Sequence, residues 1–306
     1  MTPTPKPRVF GVDYQFLSCG DVFTRGLAHA AEDLGVEYAH AGWDAPDLEH
    51  RIAAFAPDLV LVVHGRRFSR RFGSVNANRT AVWLLDEPYE VDDTAQFSSK
   101  FDHVFLSDPA TLHRHRNASY LPVCYDQHVH TPAVGPRFFD VGFIGGGNPT
   151  RDRYLGALAD AGLLSYVVGG AWGHAGVNAV CRSANIAPAQ TSEFYRNTRI
   201  VLNVFREVHH FNAQRIPGTS LNPRVYEATA CGAMVVSEWR PEVDRVVPEL
   251  PTFRTEAECV QIVRDLLANP AAAEAIRVRV AERLAGETYA ARLQTVLATV
   301  GLAVAA

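Results

Sequence analysis

The stretch SLNPRVYEATACGAMVVSEW, residues 220–239, combines charged side chains with a short helical segment and a following apolar strand. Asn222 and Pro223 are typical of the start of a helix, because asparagine caps free N–H groups and proline has none to satisfy. The N–H groups at this start, together with the guanidinium of Arg224, would attract an anion. The stretch therefore predicts a phosphate site at the beginning of a helix.

Glu227 lies four residues after Pro223, on the same helical face and about 6 Å further along the axis. A carboxylate repels phosphate, but it can accept hydrogen bonds from vicinal hydroxyls beside one, as in ribose attached to a diphosphate. The alternative is a solvent-exposed Glu227 that pairs with Arg224. Gly232 suits the left-handed position after a helix, so we expect the helix to end near Cys231.

A glycine-rich turn lies earlier in the chain, in IGGGNPTRDR, residues 144–153. Gly145 and Gly146 stand between a predicted strand and a predicted helix, where backbone N–H groups can approach a phosphate closely. Arg151 or Arg153 could reach the same phosphate. The alternative is that both arginines lie in an exposed first turn of the helix.

Three further side chains follow apolar strands, and ligands of open α/β sheets bind at the carboxyl ends of strands. Arg206 follows LNVF and would bind an anion. Asp86 follows WLL and could take a proton from a hydroxyl as a general base, although it could equally cap a turn. His64 ends DLVLVVH and could contact a sugar or an acceptor, and the alternative is a histidine satisfied within the fold.

Charged residues of the first half would face a second substrate. Asp13 and Asp21 flank the turn after the first predicted strand. Residues 64–79 contain five arginines, including Arg66 and Arg67, and no acidic residue. Such a run is usually an exposed face, but here it also suggests an anionic acceptor, with nucleic acid as one possibility.

A chain of 306 residues exceeds the size at which one core keeps growing, so two domains are expected. Apolar runs alternate with amphipathic segments, which is typical of parallel sheets covered by helices. We therefore predict an α/β fold of two doubly wound, Rossmann-like domains, 1–130 and 131–285, that face a central cleft, followed by a helix in 286–306. The strand candidates are 8–13, 36–40, 58–64, 80–86, 102–107, 119–123, 139–145, 163–170, 199–205 and 233–237.

The composition argues against several classes of protein. A net charge of −4 argues against a surface that is basic all over, and five scattered cysteines without a C-x-x-C pair indicate reduced thiols. No apolar run approaches the roughly 18 residues of a membrane helix, and the start MTPTPKPR does not resemble a signal peptide. The histidine pairs H-R-H and H-V-H lack a third ligand. We predict a cytoplasmic protein without a metal or a membrane span.

The quoted stretch 220–239, together with LNVFRE at 202–207, resembles the nucleotide-sugar motif of GT-B glycosyltransferases of the group 1 type, in particular spore-maturation CgeB-like proteins. DVGFIGGGNPTRDRYLGAL at 140–158 and AVWLLDEP at 81–88 resemble the same family. The likeness covers most of the chain and is strongest from 140 to 240.

CgeB-like sequences commonly show N-x-R-x-[FY]-E, and Asn222, Arg224, Tyr226 and Glu227 satisfy that pattern. Related retaining enzymes carry two glutamates eight residues apart, the second on ribose and the first near the sugar. Glu227 matches the second, whereas the first position is Thr219. The resemblance therefore implies a ribose contact for Glu227 and leaves the sugar contact without its usual carboxylate.

The resemblance also assigns roles outside this motif. Arg206 and the glycine turns would hold the diphosphate, so that neither a cofactor nor a metal is needed beside the nucleotide-sugar co-substrate. Gly170 and Trp172 would border the base or the ribose; the alternative is a tight turn with Trp172 in the core. The helix in 286–306 would pack back on the first domain, as is common in GT-B proteins.

The function implied is transfer of a hexose or pentose from a nucleoside diphosphate-sugar to a hydroxyl, with retention at the anomeric carbon and without a metal. Three alternatives stay open. One is a DNA-modifying glycosyltransferase that acts on hydroxylated bases, which the arginine run suggests. Another is a nucleotide-sugar 2-epimerase, which is also built as GT-B. The third is a nucleotide-sugar-binding protein without turnover, which Thr219 makes plausible.

Overall fold

The computed structural model describes residues 6–14, 20–72 and 77–302. Within these ranges the chain forms two parallel sheets of six strands each, flanked by helices, and the predicted fold class is confirmed. The chain divides into two compact units. Unit 1 comprises Met1–Asp126, Val208–Ser220 and Thr288–Ala306, and unit 2 comprises Gln127–Glu207 and Leu221–Glu287.

The sheet of unit 1 has the strand order β2-β1-β3-β4-β5-β6. Its strands are β1 Arg8–Asp13, β2 Glu37–Gly42, β3 Leu59–Val63, β4 Thr80–Leu84, β5 His103–Leu106 and β6 Ala118–Tyr120. Its helices are α1 Gly20–Asp33, α2 Leu48–Phe55, α3 Arg66–Arg71, α4 Val91–Phe97 and, near the end of the chain, α12 Tyr289–Thr299, with 3-10 helices at Ser98–Lys100 and Pro109–Arg114.

The core of unit 1 lies on both faces of its sheet, which is why β3 and β4 are buried throughout and, apart from Thr80, apolar. The last helix, α12, completes one of these faces. Tyr289 packs edge-on against Phe23 and Trp83, with ring centroids 6.0 and 6.3 Å away. Gly26 of α1 allows this approach, because a Cβ there would lie 2.4 Å from the Tyr289 ring.

The sheet of unit 2 has the order β12-β11-β10-β7-β8-β9. Its strands are β7 Phe139–Ile144, β8 Tyr166–Val168, β9 Cys181–Ser183, β10 Thr198–Asn203, β11 Met234–Glu238 and β12 Thr252–Phe253. Its helices are α5 Pro149–Asp160, α6 Ala175–Ala179, α7 Pro188–Arg196, α8 Pro223–Ala230, α9 Pro241–Val246, α10 Glu256–Ala268 and α11 Pro270–Leu284.

The sequence did not predict the edge strands β9 and β12, which have three and two residues and no apolar run. It also gave no sign that Val208–Ser220, inside the predicted second domain, groups with unit 1. None of the helices in the described ranges is long and apolar enough to cross a membrane.

Candidate functional site

The glycine turns of unit 2 lie after β7 and β8 and pack against each other. The N–H of Gly145 donates to the carbonyl of Val168 at 2.8 Å, and that of Gly147 donates to the carbonyl of Gly170 at 2.9 Å. Gly146, between them, has open space around its Cα. A ligand can therefore approach the backbone at Gly146, whereas its two neighbours hold the turns together.

Arg151 lies at the start of α5 and is buried. Its Nε donates to the Val204 carbonyl at 3.1 Å and its Nη1 to the Gly146 carbonyl at 2.7 Å, so it joins the turn after β7 to the end of β10. Arg153 instead forms an exposed ion pair with Glu256 at 3.1 Å. Of the two predicted candidates, Arg151 is the one at the strand ends, and two of its N–H groups already donate to backbone carbonyls.

Trp172 follows the Gly169–Gly170 turn, as predicted, but its side chain lies in the core of unit 2. Its indole N–H donates to the Gly169 carbonyl at 2.6 Å, and its ring meets Phe143 edge-on. Tyr226 of the N-x-R-x-[FY]-E pattern is likewise buried, with 1% of its surface exposed. Because the side chains of Trp172 and Tyr226 are buried, only the backbone of the Gly169–Gly170 turn is left to contact a ligand.

Helix α8 begins and ends as the sequence predicts, from Pro223 to Ala230, with Gly232 in the left-handed region at φ +78°. Asn222 occupies the N-cap position, but its side chain makes no capping hydrogen bond. Its Oδ1 is buried without a hydrogen-bond partner among the described residues. The helix start therefore keeps unsatisfied polar groups, as a binding site would.

Arg224 points into unit 2. Its Nε donates to the Ile144 carbonyl at 3.1 Å, and its Nη1 donates to Oδ1 of Asn203 at 2.7 Å. The side-chain amide of Asn203 in turn donates to the hydroxyl of Ser237 at 2.9 Å. The Arg224 guanidinium lies 4.7 Å from the centroid of the Phe143 ring. Arg224 thus ties α8 to the ends of β7, β10 and β11, and only part of its five N–H groups remains for an anion.

Glu227 is neither exposed nor paired with Arg224. Nine-tenths of its surface is buried, and within the described part of the chain its carboxylate makes no hydrogen bond and no ion pair. Burial raises the pKa of this carboxyl above its ordinary value, and the nearby His130 and Arg224 oppose that rise. Buried carboxylates normally have donors, so Glu227 lacks the partners that a ligand with hydroxyls would supply.

Arg206 lies beyond the end of β10 and is half-buried. Near it stands Glu238, the last residue of β11, which the sequence analysis did not single out. Its Oε2 accepts the N–H of Phe205 at 3.0 Å. Burial raises the pKa of Glu238, while that hydrogen bond and the cation of Arg240 lower it. Its place at the end of a strand was the signal that could have identified it.

In unit 1 the two predicted catalytic residues do come together. His64 and Asp86 follow neighbouring strands and form a group with Glu90, their potential ligand atoms within 4.8 Å of one another. His64 has φ +64°, is 3% exposed, and has its Nε2 3.5 Å from Oε2 of Glu90. Burial lowers its pKa. Nη2 of Arg66 lies 2.8 Å from the same Glu90 oxygen, so one cation already contacts this group.

Two of the four arginines of α3 are paired with carboxylates. Arg66 and Arg70 both lie beside the carboxylate of Asp93, and Arg66 in addition contacts Glu90 as described above. Arg67 differs, because it is exposed and stacks on aromatic rings, 5.3 Å from the Trp43 centroid and 5.9 Å from that of Tyr14. Arg71 is also exposed, and its Nη1 donates to the Trp43 carbonyl at 3.1 Å rather than to a carboxylate. In α3 the expectation of a free basic face therefore reduces to Arg67 and Arg71.

The two predicted aspartates at the first turn have different environments. Asp21 lies on the surface of α1 and pairs with Arg25 at 3.1 Å. Asp13, the last residue of β1, is 4% exposed, and its Oδ2 lies 2.6 Å from Nδ1 of His40 on β2. His40 was not predictable from the sequence, since an exposed residue on an edge strand carries no pattern of its own.

Thr219, the residue that departs from the family pattern, is bound within unit 1. Its N–H and hydroxyl donate to the two carboxylate oxygens of Asp108, both at 2.6 Å. The N–H of Ser220 donates to the same carboxylate at 2.9 Å. The threonine side chain is therefore used to anchor its own segment.

Residues 151–298 match the sequence model of a family described as glycosyl transferase-like. No curated protein matches the chain significantly. Solved structures that it resembles include an alpha-glucosyltransferase in complex with UDP and a 13-mer DNA containing an HMU base. That likeness has a TM-score of 0.71 at 10% identity and covers 97% of this chain and 100% of the other.

Two further structures resemble the chain over nearly its whole length. A candidate UDP-N-acetylglucosamine 2-epimerase from Listeria monocytogenes has a TM-score of 0.57 at 10% identity, with 97% of this chain and 96% of that one covered. The N-terminal domain of trehalose-6-phosphate phosphatase from Candida albicans has a TM-score of 0.61 at 8% identity, with 98% and 97% covered. At such identities the likeness shows the fold alone, which is the two-unit, Rossmann-like α/β fold of GT-B proteins.

Proposed function

We propose that this protein is a glycosyltransferase that moves a hexose or pentose from a nucleoside diphosphate-sugar to a hydroxyl, without a metal and with retention at the anomeric carbon. The family match over residues 151–298 supports the general reaction. The observation that carries the proposal is the buried, unpartnered carboxylate of Glu227 next to the start of α8.

A ribose would satisfy this carboxylate. Its two vicinal hydroxyls can each donate one hydrogen bond, and a carboxylate accepts several. A diphosphate attached to the ribose would extend toward the N–H groups at the start of α8, where the helix dipole favours negative charge. Oδ1 of Asn222 is also buried without a partner in the described ranges, so it could accept a hydrogen bond from the same ligand.

We assign stabilisation of the leaving diphosphate to Arg206, to the remaining N–H groups of Arg224 and to the backbone at Gly146. Donors fixed in advance around developing negative charge make a large contribution to catalysis. Arg151 holds the carbonyl of Gly146 and keeps this turn in place. Because these groups supply positive charge or dipoles for the leaving diphosphate, no metal ion is needed to stabilise it. We therefore expect transfer to proceed in the presence of a metal chelator.

We assign the acceptor to the carboxyl end of the first sheet, near Arg67, Asp86 and Asp13. Buried His64 contacts Glu90, which suits support of the site better than proton transfer. Asp86 is half-buried at the end of β4 and suits a hydrogen bond to a sugar or acceptor hydroxyl.

The rival functions differ in what they need from the arginine face and from the acceptor. A DNA acceptor would require several free cations. Arg66, Arg70 and Arg114 are in ion pairs with carboxylates, whereas the exposed Arg67 and Arg71 contact aromatic rings and a backbone carbonyl. Binding to duplex DNA that falls steeply with salt would nevertheless favour it. An epimerase would convert the free nucleotide sugar in the absence of any acceptor, and a binding protein would never accelerate release of the nucleotide.

The test of the proposal is nucleotide binding by Glu227→Ala. Thermal shift with UDP, GDP, dTDP and ADP identifies the base, and calorimetry then measures affinity. Loss of two hydrogen bonds to a carboxylate should weaken binding about 10- to 100-fold. The control Glu256→Gln, on the surface of α10, should bind as wild type does. Unchanged affinity in Glu227→Ala would remove the ribose assignment.

A further inference from the structure

Asp13 and His40 form a hydrogen-bonded pair in which the aspartate is buried and the histidine is partly exposed. Asp13 ends β1 and is 4% exposed, whereas 43% of the His40 side chain is exposed. Oδ2 of Asp13 lies 2.6 Å from Nδ1 of His40. An ionised carboxylate only accepts hydrogen bonds, so Nδ1 of a neutral His40 carries the hydrogen and Nε2 has a free lone pair. Among the described residues Nε2 has no partner.

This is the arrangement of an oriented base. A buried carboxylate that fixes one ring nitrogen leaves the other to accept a proton, and it stabilises the imidazolium that forms. His64 has the opposite arrangement, because it is buried and its Nε2 faces Glu90. Of these two histidines, His40 has the exposed side chain that proton transfer from a substrate requires.

We propose that His40 is the catalytic residue that takes the proton from the acceptor hydroxyl, with Asp13 as its positioning residue. The inference rests on the proposed glycosyl transfer and deepens it. The acceptor O–H bond breaks and its proton moves to Nε2 of His40. The acceptor oxygen bonds to the anomeric carbon, and the bond from that carbon to the diphosphate oxygen breaks, with its electron pair leaving on the nucleoside diphosphate. The proton has to leave whichever face of the carbon is attacked.

In the part of the chain that the structure describes, groups from three elements face the pair. Asp13 lies on β1, and Tyr38 on β2 stacks on the His40 ring with centroids 5.9 Å apart. From α1, Thr24 and Asp21 face Asp13. Burial raises the pKa of Asp13, and its contact with His40 lowers it. The charged groups of this set are carboxylates.

The chain offers a matched control in His29 of α1. Nδ1 of His29 lies 2.7 Å from Oδ2 of Asp126, whose side chain is 3% exposed, so a buried carboxylate again holds a histidine. However, His29 lies nine residues beyond Gly20, about 14 Å along α1 from the end that faces the carboxyl edge of the sheet. His29→Gln removes a similar pair away from the proposed acceptor site.

The experiment compares wild type with His40→Gln, Asp13→Asn and His29→Gln. The probes are UDP-glucose, GDP-mannose, dTDP-glucose and ADP-glucose, each with water as the acceptor, and release of the nucleoside diphosphate is followed. We expect His40→Gln to lower kcat at least about 100-fold with KM unchanged, and to remove the acidic limb of the pH–rate profile. Asp13→Asn should also lower kcat, His29→Gln should not, and imidazole should restore turnover to His40→Gly.

The outcomes separate the two proposals. If wild type turns over one donor and His40→Gln keeps both its kcat and its pH profile, the dyad is structural and the inference is overturned, while the transferase stands. If wild type binds and hydrolyses none of the four donors, the proposed function fails and the inference with it.

A readout without turnover is also available. Nitrogen-15 NMR of the full chain should show the neutral His40 ring with hydrogen on Nδ1, and Asp13→Asn should shift the ring toward the other tautomer. Hydrogen on Nε2 in the wild type would contradict the proposed base.

Discussion

At the scale of single residues, replacing the Glu227 carboxylate should raise the free energy of unfolding and lower the affinity for the nucleotide. Burial raises the pKa of its carboxyl above the ordinary 4.5, so the folded chain holds this proton more tightly than the unfolded chain does. The resulting stabilisation is fully present below the unfolded pKa and is lost as pH rises through the folded pKa. Glu227→Gln carries no charge at any pH. We therefore expect it to exceed wild type in free energy of unfolding at pH 7, with the difference disappearing near pH 4.5.

Urea unfolding at the two pH values measures this difference, and calorimetry with the preferred nucleotide measures the accompanying loss of affinity. Glu256→Gln serves again as the control. A Glu227→Gln variant less stable than wild type at pH 7 would mean that the carboxylate has a donor within the protein.

At the scale of elements, one carboxylate anchors the end of the segment Val208–Ser220. Asp108 accepts hydrogen bonds from Thr219 and Ser220, and it begins the 3-10 helix Pro109–Arg114 by accepting the N–H of Ala110. Asp108→Ala should cost about 3 kcal/mol locally, because hydrogen bonds to a buried charge are lost together. Amide exchange at Thr219 and Ser220 should then be about 100-fold faster in hydrogen-exchange measurements.

Asp92→Ala is the matched comparison for this segment, since Asp92 accepts the N–H of Ala213 nearer its middle. That variant should accelerate exchange around residue 213 and leave Thr219 protected. Equal exchange at Thr219 in wild type and Asp108→Ala would show that the carboxylate is not what holds the segment.

The bounds of an element were predictable from the sequence where interactions between neighbouring residues set them. Asn222 and Pro223 mark the start of α8 correctly, although the Asn222 side chain makes no capping hydrogen bond, because the fixed φ and the missing N–H of proline favour the first helical position locally. The direction of Arg224 was not predictable, since it is set by the carbonyl of Ile144 and the amide of Asn203, far away in the sequence. The same holds for Thr219, whose partner lies 111 residues away in the chain.

At the scale of the whole molecule, unit 1 is built from both ends of the chain, so its folding should require the last helix. Removing residues 288–306 takes five buried apolar side chains from its core: Tyr289, Leu293, Val296, Leu297 and Val300. At about 1.5–3 kcal/mol each, their loss is of the order of the total stability of a domain, about 5–15 kcal/mol. We expect the truncated chain to lose slow amide exchange in β1 to β6 while β7, β10 and β11 stay protected. Slow exchange retained in β3 and β4, the most buried strands of unit 1, would show that this core is stable without α12.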